Sequence, residues 1–383
     1  MSGPHTPPWD RDRALALAES SGRTLLDLSL GVAADPPPRR TGRPGSGTAA
    51  AYPPSRGTRN LREAAAGYLA RRFGVTADPE AVAASAGSKE FISTLPLFLR
   101  EAGIGGPDRD TVLIPALGYP AYELGARLAG LRTHRVPVDE GFRMRPDRLP
   151  PEVSTRALCV WVNSPANPTG VVEPLADITA WARAHDVLLL SDEAYAELTW
   201  CHDPRTALAG GPDGVLAVHS LSKRSNAPGL RVGFYAGDPA VVARLVPLRR
   251  AAGLIGSADA QDAAAGLLAD DEHAAAQRAR NARRVTALVT ALTAAGLPCA
   301  VPEGGLFVWL AAPGGDGRAF ARRLAERTGV VVMPGGEYGP GGEGHVRIAA
   351  VRDADEIVER LHSILHFDMS AAHRPDGTGR EAL

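Results

Sequence analysis

The sequence predicts an α/β fold: a large domain around a mostly parallel sheet flanked by helices, followed by a smaller α+β domain. Two observations predict the large domain. Between Gly47 and Gly256 short apolar runs alternate with amphipathic segments, as repeated strand–helix units require. Within those runs hydrophobicity is continuous rather than alternating, which suits strands covered on both faces. A third observation predicts the smaller domain: past a long charged, alanine-rich segment the pattern changes to short strands mixed with single helices.

Taken in order, the expected strands are Ala81–Ser85 (AVAAS), Thr111–Pro115 (TVLIP), Ala157–Val162 (ALCVWV), Val187–Ser191 (VLLLS) and Val215–Ser220 (VLAVHS). Helices lie between them. In EPLADITAWARAH, Leu175, Ile178 and Ala182 fall on one helical stripe, with Asp177 and Arg183 off it. The segment Asp35–Gly47 is crowded with Pro, Gly and Arg and reads as a loop. After the charged segment Asp270–Ala295 come GGLFVWL, a helix-like FARRLAERTG, then VVVMPG, HVRIAAV and a final helix. The expected organisation is an N-terminal segment, 1–46, contributing to the small domain and the site entrance. A large domain, 47–280, a small domain, 281–367, and a polar, aperiodic, disordered tail, 368–383, complete it. There is no internal repeat.

Composition narrows the function. The 383 residues carry a formal charge of −1 with 44% hydrophobic residues, enough apolar material for two cores and no global field for nucleic acid or an anionic membrane. The cysteines Cys159, Cys201 and Cys299 are odd in number and widely spaced, so they read as buried small apolar side chains rather than disulfides or zinc ligands. The ten histidines lack metal-ligand spacing, and no metal site is expected. The start, MSGPHTPPWDRD, has no apolar signal core, and no run reaches the ~18 apolar residues of a membrane span. A cytoplasmic location is expected.

The chemistry centres on HSLSKRSNAPGLRVGF, His219–Phe234. In an open α/β sheet, ligands sit beyond the carboxyl ends of the strands. Polar clusters recur there: SAGSKE, GYPAY, NSPANPTG, SDEAY and SLSK follow the five expected strands in turn. A desolvated lysine in such a crevice, Lys223, is a nucleophilic amine able to form a Schiff base with an aldehyde. Pyridoxal phosphate is the aldehyde whose further needs the sequence meets. Gly87 and Ser88, at a strand-to-helix turn, offer donors where the helix dipole favours phosphate, and Ser220 and Arg231 add a hydroxyl and a charged fork. Asp192, ending an apolar strand, suits the pyridinium nitrogen. Asn167 and Tyr195 suit the phenolic oxygen, and Tyr119 suits the ring face.

Together GSKE at Gly87, NSPANPTG around Asn167, SDEAY at Asp192 and Tyr195, and the Lys223–Arg231 stretch resemble the class I/II aminotransferases, fold-type I pyridoxal-phosphate enzymes. The resemblance runs from about Asp27 to His366. It implies a seven-stranded sheet in the large domain, with Lys223, Asp192 and Tyr195 as catalytic residues. It also implies Lys89 and Ser222 among the cofactor contacts and Gly31, Asn167 and Arg347 among the substrate contacts, Arg347 (in HVRIAA) taking the substrate's α-carboxylate. Tyr52, in AYPPSRGTRNLRE, is expected to reach the phosphate of a neighbouring subunit, which implies a homodimer with shared sites.

Within that family LIPALGYPAYELGARLAG, LAVHSLSKRSN and EYGPGGEGHVRIA resemble the actinobacterial succinyldiaminopimelate aminotransferases. That likeness implies an N-acylated diamino dicarboxylic acid and glutamate as substrates. Two stretches depart from it. Asp35–Tyr52 carries Pro, Gly and the arginines Arg39, Arg40 and Arg43 where a short helix is expected, and LRRAAGLIGSADAQ lacks the expected His-Ala-Gly pattern. Both bear on substrate choice, so a different, larger or more anionic substrate is the expectation. β- or γ-elimination, replacement or carbon–carbon bond formation in specialised metabolism stays open as the alternative outcome.

Overall fold

The computed structural model describes residues 9–38, 52–357 and 359–360. The arginines Arg39, Arg40 and Arg43 and the 368–383 tail lie outside these residues.

The chain opens with α1 (Arg11–Ser20) and β1 (Leu26–Asp27), then α2 (Arg59–Phe73), β2 (Val82–Ser85), α3 (Ser88–Glu101), β3 (Thr111–Pro115) and α4 (Ala121–Leu128). It continues with β4 (Arg132–Val136), α5 (Pro151–Thr155), β5 (Ala157–Asn163), α6 (Leu175–Ala184), β6 (Leu188–Asp192), β7 (Val215–Ser220) and the single turn α7 (Leu221–Arg224). Next come β8 (Gly233–Gly237), α8 (Pro239–Ala251), α9 (Ala258–Ala269) and the long α10 (Asp271–Ala294). Then come β9 (Phe307–Ala311), α11 (Gly317–Thr328), β10 (Val330–Val331), β11 (Met333–Pro334) and β12 (His345–Ala349), after which the described residues 354–357 and 359–360 are helical, where the sequence expected a final helix.

Seven strands form one sheet in the order β2-β8-β7-β6-β5-β3-β4. Only β8 runs against its neighbours; the pairs β7–β6, β6–β5, β5–β3 and β3–β4 are parallel. All five strands expected from the sequence are present, with ends shifted by a residue at most. Their continuous hydrophobicity has the anticipated cause. On β5, Ala157, Val160 and Val162 enter one core with Leu61, Leu175 and Ile178 from the helices, while Leu158, Cys159 and Trp161 enter the other with Phe91, Tyr122 and Val242.

Two strands of this sheet gave no signal by that criterion. The edge strand β4, RTHRV, is polar because most of it is only half-buried, and β8, GFYAG, begins and ends with glycine. A Cβ on Gly233 would lie 2.6 Å from the His219 carbonyl, and one on Gly237 would lie 2.0 Å from that of Val215. Close approach of the neighbouring backbone therefore removes the β-branched residues by which a strand is recognised.

A separate antiparallel sheet, β11-β12-β9, carries Arg347 on its central strand. The N-terminal segment joins this part of the chain, because β1 pairs with β10 in parallel and Ala14 and Ala18 of α1 share a small core with Ala325 and Val331. The cysteine expectation needs correcting: Cys159 is buried, but Cys201 is exposed and Cys299 half-buried, and all three are free thiols. Cys201 sits in an irregular stretch after β6 that runs over the surface, where neighbouring apolar residues do not enclose it. Among the described residues no helix is long and apolar enough to cross a membrane, and no cluster of potential metal ligands occurs.

Candidate active site

The topology brings the polar clusters together. The strands β2, β3, β5, β6 and β7 all run the same way, so the residues after them meet at one sheet edge, and the residues entering antiparallel β8 reach that edge too. There a cavity of about 320 Å³ is lined by Gly31, Ser88, Lys89, Tyr119, Asn167, Asp192, Tyr195, Ser220, Ser222, Lys223, Arg231 and Arg347. Of the site residues expected from the sequence, only Gly87 and Tyr52 are not in that lining. Gly87 stands directly behind it as the N-cap of α3. Tyr52 is 93% exposed on its own chain.

Lys223 projects from α7. Leu221 and Arg224, three apart, face inward and are buried, which turns Ser222 and Lys223 towards the cavity. The turn is capped by Ser220 Oγ, which accepts from the Ser222 N–H at 3.2 Å. Arg224 is tied down by Glu197 at 2.5 Å and Asp271 at 2.8 Å. The Lys223 amine donates to the Gly31 carbonyl at 2.5 Å. Enclosure by the cavity walls, with help from the Arg347 charge and against the pull of Asp192, lowers its pKa to about 8.

Asp192 is buried at the end of β6, where the strand register sets it beside Asn163. Its Oδ2 accepts from the Tyr122 hydroxyl at 2.8 Å and its Oδ1 from the Ala194 N–H at 3.1 Å. Burial raises its pKa to about 6 in spite of these donors. Asn163 accepts from the Asn167 N–H at 2.7 Å and donates to the Asp192 carbonyl at 2.8 Å, which fixes the Asn167 turn against β6. Burial pushes the Tyr195 phenol well above its ordinary value.

The turn after β2 forms the third wall. Gly87 has φ +86° and ψ 158°, a backbone conformation that requires glycine, and the Arg231 guanidinium occupies the space a Cβ would take, its Nη2 2.6 Å from that position. Arg231 donates to the Ala86 and Pro228 carbonyls at 3.1 and 3.0 Å. From the other side Arg347 is buried, donating to Asn167 Oδ1 at 2.7 Å and to the Ser29 carbonyl. Its guanidinium carbon lies 3.9 Å from the centre of the Phe307 ring. Glu343 does not pair with it: that carboxylate accepts from the Gly341 N–H.

Three further residues shape the site without having been singled out from the sequence. Tyr122, Asn163 and Phe307 each sit inside a quoted motif, at the end of a quoted strand or just past it, but only the fold aims them at Asp192, Asn167 and Arg347. For Tyr122, its position three residues after Tyr119, in the first turn of α4, was the one available signal.

These residues fit pyridoxal phosphate. Asp192 is a buried carboxylate with no Lys, Arg or His at ion-pair distance among the described residues, so a protonated ring nitrogen would supply the missing cation. The buried Arg347 Nε has no hydrogen-bond partner among the described residues, which leaves it donor capacity for an anion. The amides at the α3 N-terminus, the Ser220 and Ser222 hydroxyls and Arg231 are a donor set suited to a dianionic phosphate.

Fold and site together define a fold-type I transferase, and the chain belongs to the class I and II aminotransferase family: that family's model matches residues 37–364, and its members use pyridoxal phosphate. It is 42% identical to the 4-dedimethylamino-4-oxo-anhydrotetracycline transaminase OxyQ of Streptomyces rimosus, over 91% of this chain and 96% of that one. To LL-diaminopimelate aminotransferase 2 of Trichormus variabilis it is 34% identical, covering 84% and 83% of the two chains. A probable N-succinyldiaminopimelate aminotransferase from Thermus thermophilus superposes with a TM-score of 0.83 at 31% identity, covering 93% and 98%.

Proposed function

We propose that this aminotransferase acts on a dicarboxylic amino acid of the N-succinyl-diaminopimelate kind, exchanging its amino group with a 2-oxo acid such as that of glutamate. The observation that carries the reading is Arg347, a buried guanidinium in the cavity that holds Lys223, with no carboxylate partner among the described residues and an unused Nε donor. A planar fork of this kind suits an α-carboxylate. The likenesses to LL-diaminopimelate aminotransferase 2 and to the probable N-succinyldiaminopimelate aminotransferase support a second anionic group on the substrate.

Pyridoxal phosphate, when bound, supplies an aldehyde that takes up the substrate amine and a ring that accepts the electrons released at its α-carbon. In the roles we assign, the Lys223 amine would hold the cofactor in the absence of substrate. Lys223, once free, is the base that moves the α-proton, and a pKa lowered to about 8 keeps part of it deprotonated near neutrality. Asp192 holds a positive charge at the ring nitrogen, with Tyr122 fixing its carboxylate. Tyr195 and Asn167 orient the phenolic oxygen, Tyr119 covers the ring, and Gly87, Ser88, Lys89, Ser220, Ser222 and Arg231 hold the phosphate. Gly31 borders the substrate. Tyr52, exposed on its own chain, is assigned to the phosphate of a partner subunit in a homodimer. We also retain the domain limits 47–280 and 281–367.

Absorbance titration of the cofactor-loaded protein with L-glutamate and with N-succinyl-diaminopimelate tests the substrate reading. Conversion to the aminated cofactor by both supports it; conversion by neither refutes it. A second reading is favoured by the likeness to the anhydrotetracycline transaminase and by the exposed Leu30 and Val32 at the cavity mouth, which suit an apolar substrate of specialised metabolism. Conversion of the aminated protein by a polycyclic ketone, and not by a dicarboxylic 2-oxo acid, would assign that reading. Release of ammonia or of a substituent, without aminated cofactor, would assign elimination or replacement.

A further inference from the structure

The core of the α3–α8 contact holds an ion pair that none of the proposed chemistry uses. Arg249, on α8, is only 2% exposed. Its Nη2 donates to Glu90 Oε2 at 2.7 Å, and its guanidinium lies 5.0, 5.7 and 5.8 Å from the rings of Phe91, Tyr235 and Phe98. Glu90 stands in the first turn of α3, and the same Oε2 accepts from the Ala86 N–H at 3.2 Å, while Oε1 accepts from the Thr94 hydroxyl at 3.0 Å. The carbonyl of Ala86 in turn accepts from Arg231 Nη2 at 3.1 Å. Ala86 is thus held through its N–H by the buried pair and through its carbonyl by the guanidinium that flanks Gly87.

We infer that Glu90 and Arg249 are positioning residues for the phosphate cradle, acting through Ala86. This rests on the assignment of Gly87, Ser88 and Arg231 to the phosphate. The turn after β2 has no side chain of its own to hold it, since Gly87 must be glycine at φ +86° and makes no side-chain cap. Glu90 supplies the missing cap from inside the helix, a variation on the reciprocal capping box. A lone carboxylate in that turn would repel the dianion which the helix N-terminus is to receive. Arg249 neutralises it, and its aromatic surroundings fix the guanidinium in one place.

The test compares pyridoxal phosphate with pyridoxal, which lacks the phosphate, as ligands for full-length protein stripped of cofactor and re-titrated by absorbance. In the variant Glu90→Leu/Arg249→Met the pair is replaced by apolar side chains, a change that buried ion pairs tolerate, and the Ala86 N–H loses its acceptor. Affinity for pyridoxal phosphate should fall about ten- to hundredfold, the worth of one hydrogen bond to a charged group, with pyridoxal affinity unchanged. The variant Glu90→Gln/Arg249→Met keeps an amide oxygen for the Ala86 N–H and should recover most of the loss. A wild-type ratio of the two affinities in the Leu/Met variant, or equal losses in both variants, would overturn the assignment. Failure of the Leu/Met apoprotein to fold would also overturn it, since the pair would then belong to the core alone. Wild-type protein that binds both ligands equally would instead remove the assignment of the cradle itself.

Discussion

Asp192→Asn should stabilise the cofactor-free protein while disabling the enzyme. The carboxylate is buried, receives among the described residues only the Tyr122 hydroxyl and the Ala194 N–H, and has a pKa raised to about 6. An unfolded aspartate titrates near pH 4. Between these values the unfolded chain has lost its proton and the folded chain still holds it, so stability falls as pH rises from about 4 to about 6. At about 1.4 kcal/mol per pH unit, about 3 kcal/mol is forfeited above pH 6. Asparagine does not ionise and forfeits nothing. Urea unfolding of both apoproteins from pH 4 to 8, at equal protein concentration, should show curves that coincide at pH 4 and separate by up to about 3 kcal/mol at pH 8 in favour of the variant. With cofactor bound the order should reverse, because a ring N–H against Asp192 compensates the buried charge. Apoprotein curves that stay parallel, or a variant less stable than wild type at pH 8, would refute the view that this carboxylate is held ready for a cation.

Four further outcomes follow from the same geometry. Tyr122→Phe removes a donor 2.8 Å from Asp192; apoprotein stability above pH 6 should drop by about 1.5–3 kcal/mol, with a smaller loss at pH 4, read by the same titration. Because the Lys223 pKa is lowered to about 8, capture of pyridoxal phosphate by apoprotein should accelerate with pH, reach half its maximum near pH 8 and level off above about pH 9; a rate still climbing at pH 10 would place the amine in open water. Arg347→Lys should raise the KM for amino acid about ten- to hundredfold with kcat and the cofactor's absorbance little changed, the mark of binding shared by ground and transition states. Gly87→Ala, which sets a Cβ against the Arg231 fork at φ +86°, ψ 158°, a conformation open essentially to glycine alone that costs other residues about 1–3 kcal/mol, should weaken pyridoxal phosphate binding at equilibrium dialysis far more than it lowers the thermal midpoint.

Most of the residues around Lys223 were legible in the sequence because they end or follow a strand, while Gly31, Tyr52 and Arg347 came from the family resemblance. A strand end is marked locally by where an apolar run stops, and the parallel rule then sends every such end to one edge. The same logic picked out Gly87, Asn167, Asp192 and the pair Ser220 and Lys223 from four separate motifs. It passed over β4 and β8, whose residues answer to an exposed edge and to a neighbouring backbone rather than to a core. It read Cys201 as buried because a residue type's usual environment says nothing about a surface stretch.

What the sequence alone determined is the α/β class, the cofactor and which polar residues stand at the strand ends, since strand periodicity and turn chemistry are short-range properties. Only the tertiary structure decided which side chains meet across long separations: Tyr122 with Asp192, Arg347 with Asn167 and Ser29, Lys223 with Gly31, and Arg249 with Glu90. Those pairings depend on strand order, register and helix packing. No local pattern encodes them, because each partner's sequence neighbourhood would look the same whichever element it came to face.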